Sequence, residues 1–194
     1  VSQALPRLER ALDRAVRLAT DVLTYGKTQE PAPETRVLAL GAAVDAAGEE
    51  ARLSEDGVRL VNEVADDVQV SADPDQLHRI LGNLLRNARE AIEHQSGRTA
   101  PGVVRVSVVQ ADGVSLVQVA DNGPGVPERA RERLFLAFSG SSRPDGAGLG
   151  LAIARELAVA HGGDLTLAES SPDGAVFELR LPGAPPRAAR GRGG

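Results

Sequence analysis

Two glycine-rich stretches hold the residues best suited to chemistry, Val119-Ala-Asp-Asn-Gly-Pro-Gly-Val126 and Gly146-Ala-Gly-Leu-Gly-Leu151. Glycine belongs where a backbone turns sharply or comes close to a ligand. The first stretch follows an alternating run, Val114-Ser-Leu-Val-Gln-Val119, and so leaves the end of a predicted strand. The second opens an apolar-periodic segment, Leu149 to Ala160, so the unpaired N–H groups of a helix start face a glycine loop. That arrangement favours phosphate. At the strand end, Asp121 offers a carboxylate that can accept a hydrogen bond from an amine such as the exocyclic amine of adenine. These residues together predict a nucleotide site.

A third group lies on a predicted helix over residues 73–94. Asp73-Pro-Asp-Gln76 is a helix start, with Asp as cap, Pro at the first helical position and Gln at the third. At about 100° per residue, Leu77, Ile80, Leu81, Leu84, Leu85, Ala88, Ala91 and Ile92 share one apolar face. Gln76, Asn83, Asn87, Glu90 and His94 form a narrow polar stripe at its edge. An asparagine carbonyl is a hard oxygen donor, suited to Mg²⁺ that keeps several waters and binds substrate phosphates. Asn87 is the candidate ligand, and Asn83 beside it would position water or phosphate. The competing reading is that both amides bond neighbouring backbone or solvent.

Composition narrows the alternatives. At 194 residues the chain suffices for one core with an appendage. A net charge of −5 argues against a general nucleic-acid binder. Without cysteine there are neither disulfides nor thiolate metal sites. No apolar run approaches the ~20 residues of a membrane span. Lys27 is the only lysine and lies far from the glycines. A P-loop and a Ser/Thr/Tyr kinase site, each of which needs a lysine on the phosphates, are therefore excluded. A dinucleotide fingerprint fails as well, because Leu151 stands where its third glycine belongs.

Read in order, residues 2–26 form a long helix whose Leu5, Leu8, Leu12, Ala15, Ala19 and Val22 make a bundle seam. Such a seam suggests a partner helix or a dimer, the competing reading being an ordinary amphipathic helix packed on its own domain. The chain begins without Met and in mid-pattern, which predicts a piece of a longer protein. Residues 28–35 read as a linker, with Pro31 and Pro33, and a globular domain spans residues 36–182. Its expected elements are a strand over 36–40, a helix over 42–53, strands over 58–64 and 68–71, and the helix over 73–94. Strands over 103–110 and 114–120 form a hairpin around Ala111-Asp-Gly113. A helical turn within 128–138, a flexible stretch over 139–146, a helix over 149–161 and strands over 164–169 and 175–181 follow. Residues 183–194 read as a disordered tail. Mixed and not strictly alternating, these elements predict an α+β sandwich with one mixed sheet and helices on one face.

At this point the motifs carry a resemblance. The stretch from Asp75 to Ile92, with Asn83 and Asn87, resembles the N box of sensor histidine kinases. Asp121-Asn-Gly-Pro-Gly125 resembles their G1 box, Leu134-Phe-Leu-Ala-Phe138 their F box, and Gly146-Ala-Gly-Leu-Gly-Leu-Ala-Ile153 their G2 box. His161-Gly-Gly-Asp164 is similar to the usual continuation. The resemblance implies the Bergerat ATP fold of the GHKL superfamily, with ATP and Mg²⁺ as ligands. Asn87 would hold Mg²⁺ with Asn83 assisting, and Asp121 would read the adenine amine. Gly123, Gly125 and Val126 would let the base lie against backbone, while Gly146, Gly148, Leu149, Gly150 and Leu151 would hold phosphates. Residues 139–146 would form a lid, and Arg143, its only cation, would contact the γ-phosphate.

The same resemblance makes helix 2–26 the second helix of the dimerisation and histidine-phosphotransfer hairpin. The acceptor histidine would then lie outside this chain, in a homodimeric parent, and a response regulator would accept the phosphate next. It implies a cytoplasmic location, with membrane anchoring of the parent left open. The hydrolytic relatives carry Glu at the place of Asn83; Asn cannot take a proton at neutral pH, which favours transfer over hydrolysis. None of the three histidines matches the family's phosphoacceptor pattern. His78 reads as solvated, His94 as a surface residue and His161 as a helix-end cap. Arg89 and Glu90 depart from the basic-aromatic pair usual after the second Asn. Two rivals stand beside this reading: an anti-sigma-factor-type serine kinase of the same fold, and a docking or phosphotransfer scaffold that works without ATP.

Overall fold

The computed structural model describes residues 16, 31–54, 57–138 and 148–184. Most of helix 2–26, the start of the linker, Arg143, Gly146 and most of the tail lie outside the described residues. The elements are β1 (Arg36–Ala39), α1 (Leu40–Glu50), β2 (Val58–Asn62), β3 (Gln69–Ala72), α2 (Pro74–Glu93), β4 (Gly102–Ala111) and β5 (Val114–Asp121). Then come α3 (Glu128–Arg131), α4 (Gly150–Ala160), β6 (Asp164–Ser171) and β7 (Gly174–Pro182).

Five strands form a mixed sheet in the order β2-β4-β5-β7-β6, parallel between β2 and β4 and antiparallel elsewhere. Strand alternation sets which face is covered. Val104, Val106, Val117, Val119, Ala175, Phe177, Leu179 and Leu181 are all buried. Arg105 and Arg180, at intervening positions, are exposed. The covered face meets α1, α2 and α4, with α2 packed between the other two. This is the expected sandwich, with one difference: β1 and β3 pair in a separate two-stranded sheet. β1 is four residues long and runs straight into α1, whose first N–H bonds the Val68 carbonyl at 3.0 Å. The chain thus turns away before it can join the larger sheet.

Local chemistry accounts for the boundaries that matter to the site. Asp73 caps α2 by accepting from the N–H groups of Asp75 and Gln76, each at 3.0 Å. Asp112 and Gly113 both take positive φ, 51° and 74°, as a type I′ turn between β4 and β5 requires. α4 ends in a Schellman motif: Gly162 has φ 78° and bonds the Val159 carbonyl, and Gly163 bonds that of Ala158. α1 starts two residues earlier than expected and stops at Glu50, because Arg52 turns into the left-handed region at φ 57°. Arg89 Nη1 donates to the Ala51 carbonyl at 2.7 Å, so this departure from the family's usual pair serves the end of α1.

The histidines are more connected than their sequence positions suggest. His78 is paired rather than simply solvated, its Nε2 lying 2.5 Å from Glu50 Oε2 across α1 and α2. His94 is exposed, with Nδ1 2.7 Å from the Glu90 carbonyl. His161 is buried. Its Nδ1 donates to the Leu157 carbonyl at 2.7 Å, the expected cap, while its Nε2 accepts from the Asp73 N–H at 3.0 Å. One imidazole therefore joins the end of α4 to the start of α2.

Candidate functional site

Three pieces separated in sequence meet along α2. Asn83, Asn87 and Ala91 follow one another at one-turn spacing on this helix. At the Asn83 level the start of α4 comes alongside, since a Cβ on Gly150 would lie 3.5 Å from Asn83 Oδ1. At the Ala91 level the loop after β5 comes alongside. A Cβ on Gly123 would sit 2.8 Å from Asp121 Oδ1 and 3.4 Å from Ile92 Cγ1. Asn87 thus stands between the two glycine loops, half-buried and with no side-chain hydrogen bond among the described residues.

Asp121 is buried at the end of β5, where Oδ1 accepts from the Gly123 N–H at 2.8 Å. The first turn of α4 has no side-chain cap, which leaves its positive dipole end toward Asn83. Gly148 has φ 64°, the left-handed turn that brings the chain into α4. Leu149 is buried, so only its backbone can serve a ligand; Leu151 is half-buried. Asn83 differs from Asn87 because its Oδ1 already accepts from Arg86 Nη2 at 2.6 Å. Of the two amides, Asn87 has the uncommitted oxygen.

Some predicted residues are spoken for by the fold itself. Gly125 has φ 68°, and a Cβ there would fall 2.0 Å from the Ser171 carbonyl oxygen. Its lack of a side chain is thus required by the β6–β7 hairpin. The Val126 N–H is also taken, donating to Ser170 Oγ at 2.8 Å. Phe135 of the F-box segment lies under the Arg155 guanidinium at 5.2 Å, and Arg155 pairs with Asp164 at 2.9 Å. That pair holds the Asp164 carboxyl below the usual range. Arg143 and Gly146 fall outside the described residues.

Arg86, Asn122 and Ser170 shape the site alongside the residues expected from sequence. Arg86 was detectable, three residues after Asn83 and so on the neighbouring helical position. Asn122 Oδ1 accepts from the Val103 N–H at 2.8 Å and Nδ2 donates to the Pro101 carbonyl at 2.9 Å, tying the loop to β4. No local pattern announces that tie or the one made by Ser170.

Residues 72–185 match the model of the histidine kinase-, DNA gyrase B- and HSP90-like ATPase family. The chain belongs to that family. Within it, this is a catalytic ATP-binding domain of the sensor histidine kinase type. It is 45% identical over 132 residues to the signal transduction histidine-protein kinase AfsQ2 of Streptomyces coelicolor, covering 66% of this chain and 23% of that one. It is 31% identical over 190 residues to the probable sensor histidine kinase TcrY of Mycobacterium tuberculosis, covering 94% of this chain and 38% of that one. The chain therefore spans well under half the length of these relatives. Among solved structures, full-length ShkA in complex with AMPPNP is similar over 92% of this chain and 38% of its own, with a TM-score of 0.70 and 28% identity. The mycobacterial sensor histidine kinase MprB is similar over 77% of this chain and 99% of its own, with a TM-score of 0.62 and 27% identity.

Proposed function

We propose that this domain binds Mg·ATP between α2 and the start of α4 and passes its γ-phosphate to a histidine on a helix outside this chain. The observation that carries the reading is Asn87, an amide without a hydrogen-bond partner among the described residues, between the Asp121 loop and the uncapped start of α4. Its hard oxygen suits Mg²⁺, which when bound neutralises charge on the phosphates. Asn83, oriented by Arg86, would position water or phosphate. Asp121 would accept from the adenine amine while Gly123, Gly125 and Val126 flank the base. Backbone N–H groups from Gly146 to Leu151, with Gly148 and Gly150 giving close approach, would hold the phosphates. Arg143 would neutralise the γ-phosphate.

Phosphoryl transfer needs mainly positioning and charge neutralisation, which this residue set supplies without a general base at Asn83. Residues 1–27 would belong to the dimerisation hairpin of a homodimeric parent, with residues 28–35 as linker and 183–194 as tail. A response regulator would accept the phosphate next, and the module would work in the cytoplasm. Among the described residues no helix is long and apolar enough to cross a membrane.

The test is transfer of labelled γ-phosphate from Mg·ATP to a separately made helix bearing the acceptor histidine. Wild type transfers, and Asn87→Ala loses transfer by at least ~100-fold together with Mg²⁺-dependent ATP binding. Failure of wild type to bind ATP sinks the reading and leaves the scaffold alternative.

A further inference from the structure

The tip of the β6–β7 hairpin closes on the loop that carries Asp121. Ser170 Oγ accepts from the Val126 N–H at 2.8 Å, and its hydroxyl donates to the Val126 carbonyl oxygen at 3.3 Å. One side chain thereby satisfies both backbone groups of Val126, as a neighbouring strand would. Arg131 reinforces the contact, with Nε donating to the Val126 carbonyl at 3.2 Å and Nη2 to that of Ser170 at 3.4 Å. The fit is tight on both sides. A Cβ on Gly125 would fall 2.0 Å from the Ser171 backbone carbonyl oxygen, and one on Gly174 would fall 2.0 Å from the Asp121 backbone carbonyl oxygen.

A bulge brings Ser170 to this place. β6 pairs Leu165 with Leu179 and Leu167 with Phe177, both on the covered face of the sheet. It then pairs Glu169 with Val176 and Ser170 with Ala175, so Ala168 is an extra residue. Strict alternation would have put Glu169 on the covered face after Leu167. The inserted residue hands that face to Ser170 instead, beside buried Ala175.

We infer that Ser170 is a positioning residue for base recognition. It holds the 121–126 loop so that the Asp121 carboxylate keeps its aim at the exocyclic amine of the purine. The inference rests on the proposed role of Asp121. Its effect is on discrimination between bases more than on phosphate binding, because Ser170 touches the loop beside Asp121 and not the start of α4.

The experiment measures affinities of the 194-residue chain for ATP and for inosine triphosphate, whose base carries a carbonyl in place of the amine. Wild type prefers ATP, and Asp121→Asn abolishes the preference. Ser170→Ala weakens ATP by about 3- to 10-fold, the worth of one or two hydrogen bonds, and weakens inosine triphosphate less. Ser170→Thr, which keeps the hydroxyl, retains the preference. A general loss of fold would weaken both nucleotides alike and lower the melting temperature. Equal weakening of both, or no weakening of ATP, overturns the role of Ser170 while that of Asp121 stands. A wild type that binds both nucleotides equally overturns the Asp121 reading itself, and this inference with it.

Discussion

Glycine at 125 and glycine at 113 look alike in sequence but answer to different demands. Both have positive φ, 68° and 74°. A Cβ at 113 meets nothing within 4 Å, whereas one at 125 runs into the Ser171 carbonyl. Gly113→Ala therefore costs only the left-handed backbone penalty, about 1 kcal/mol. Gly125→Ala adds an overlap with backbone that cannot swing aside, for a total above about 3 kcal/mol. Urea unfolding of the two variants checks the contrast, and equal losses would mean the hairpin yields at 171. Asn83 and Asn87 present a similar case. Their four-residue spacing was legible as a shared helical stripe, but which amide keeps its oxygen uncommitted depended on Arg86.

Between elements, the start of α2 is the point where the most distant pieces converge. The cap itself was readable, since Asp-Pro before an apolar period is a helix start. Its other partners were not. Asp73 Oδ2 accepts from the Glu34 N–H, 39 residues away, and the Asp73 N–H donates to His161, 88 residues away. One residue thus fastens the incoming chain, α2 and the end of α4 together. Asp73→Ala removes the cap and costs about 1–2 kcal/mol, while Asp73→Asn, itself a good cap, retains most of the stability at neutral pH. Thermal or chemical unfolding of the two variants separates cap geometry from charge. A comparable loss in both would assign the effect to charge alone.

For the molecule as a whole, two carboxylates tie stability to pH. Asp73 is held below its ordinary value first by the Gln76 N–H bond, against a smaller opposing cost of burial, with help from the N–H groups of Glu34 and Asp75. Asp164 is held down first by the Arg155 hydrogen bond. A depressed folded pKa stabilises the native state above the unfolded carboxylate value of about 3.9, and the contribution disappears as pH falls through the folded value. Melting temperature should be insensitive to these groups from pH 7 down to about 5 and begin to fall below about 4. The Asp73→Asn, Asp164→Asn double variant should show a shallower fall, and an unchanged slope would remove both groups from the account. Both carboxylates are partly exposed, so solvent screening keeps the contribution of each modest. By itself the sequence determined whatever depends on near neighbours: the α2 cap, the Asp-Gly hairpin, the alternating strands, the asparagine spacing and the glycine loops. These follow from helical and strand periods and from the φ preferences of single residues. Only the tertiary structure decided that Ser170 rather than Glu169 faces the Asp121 loop, that His161 meets Asp73, and that Gly125 is required by Ser171. Those contacts depend on sheet order and on one extra residue in β6, and no local period records either.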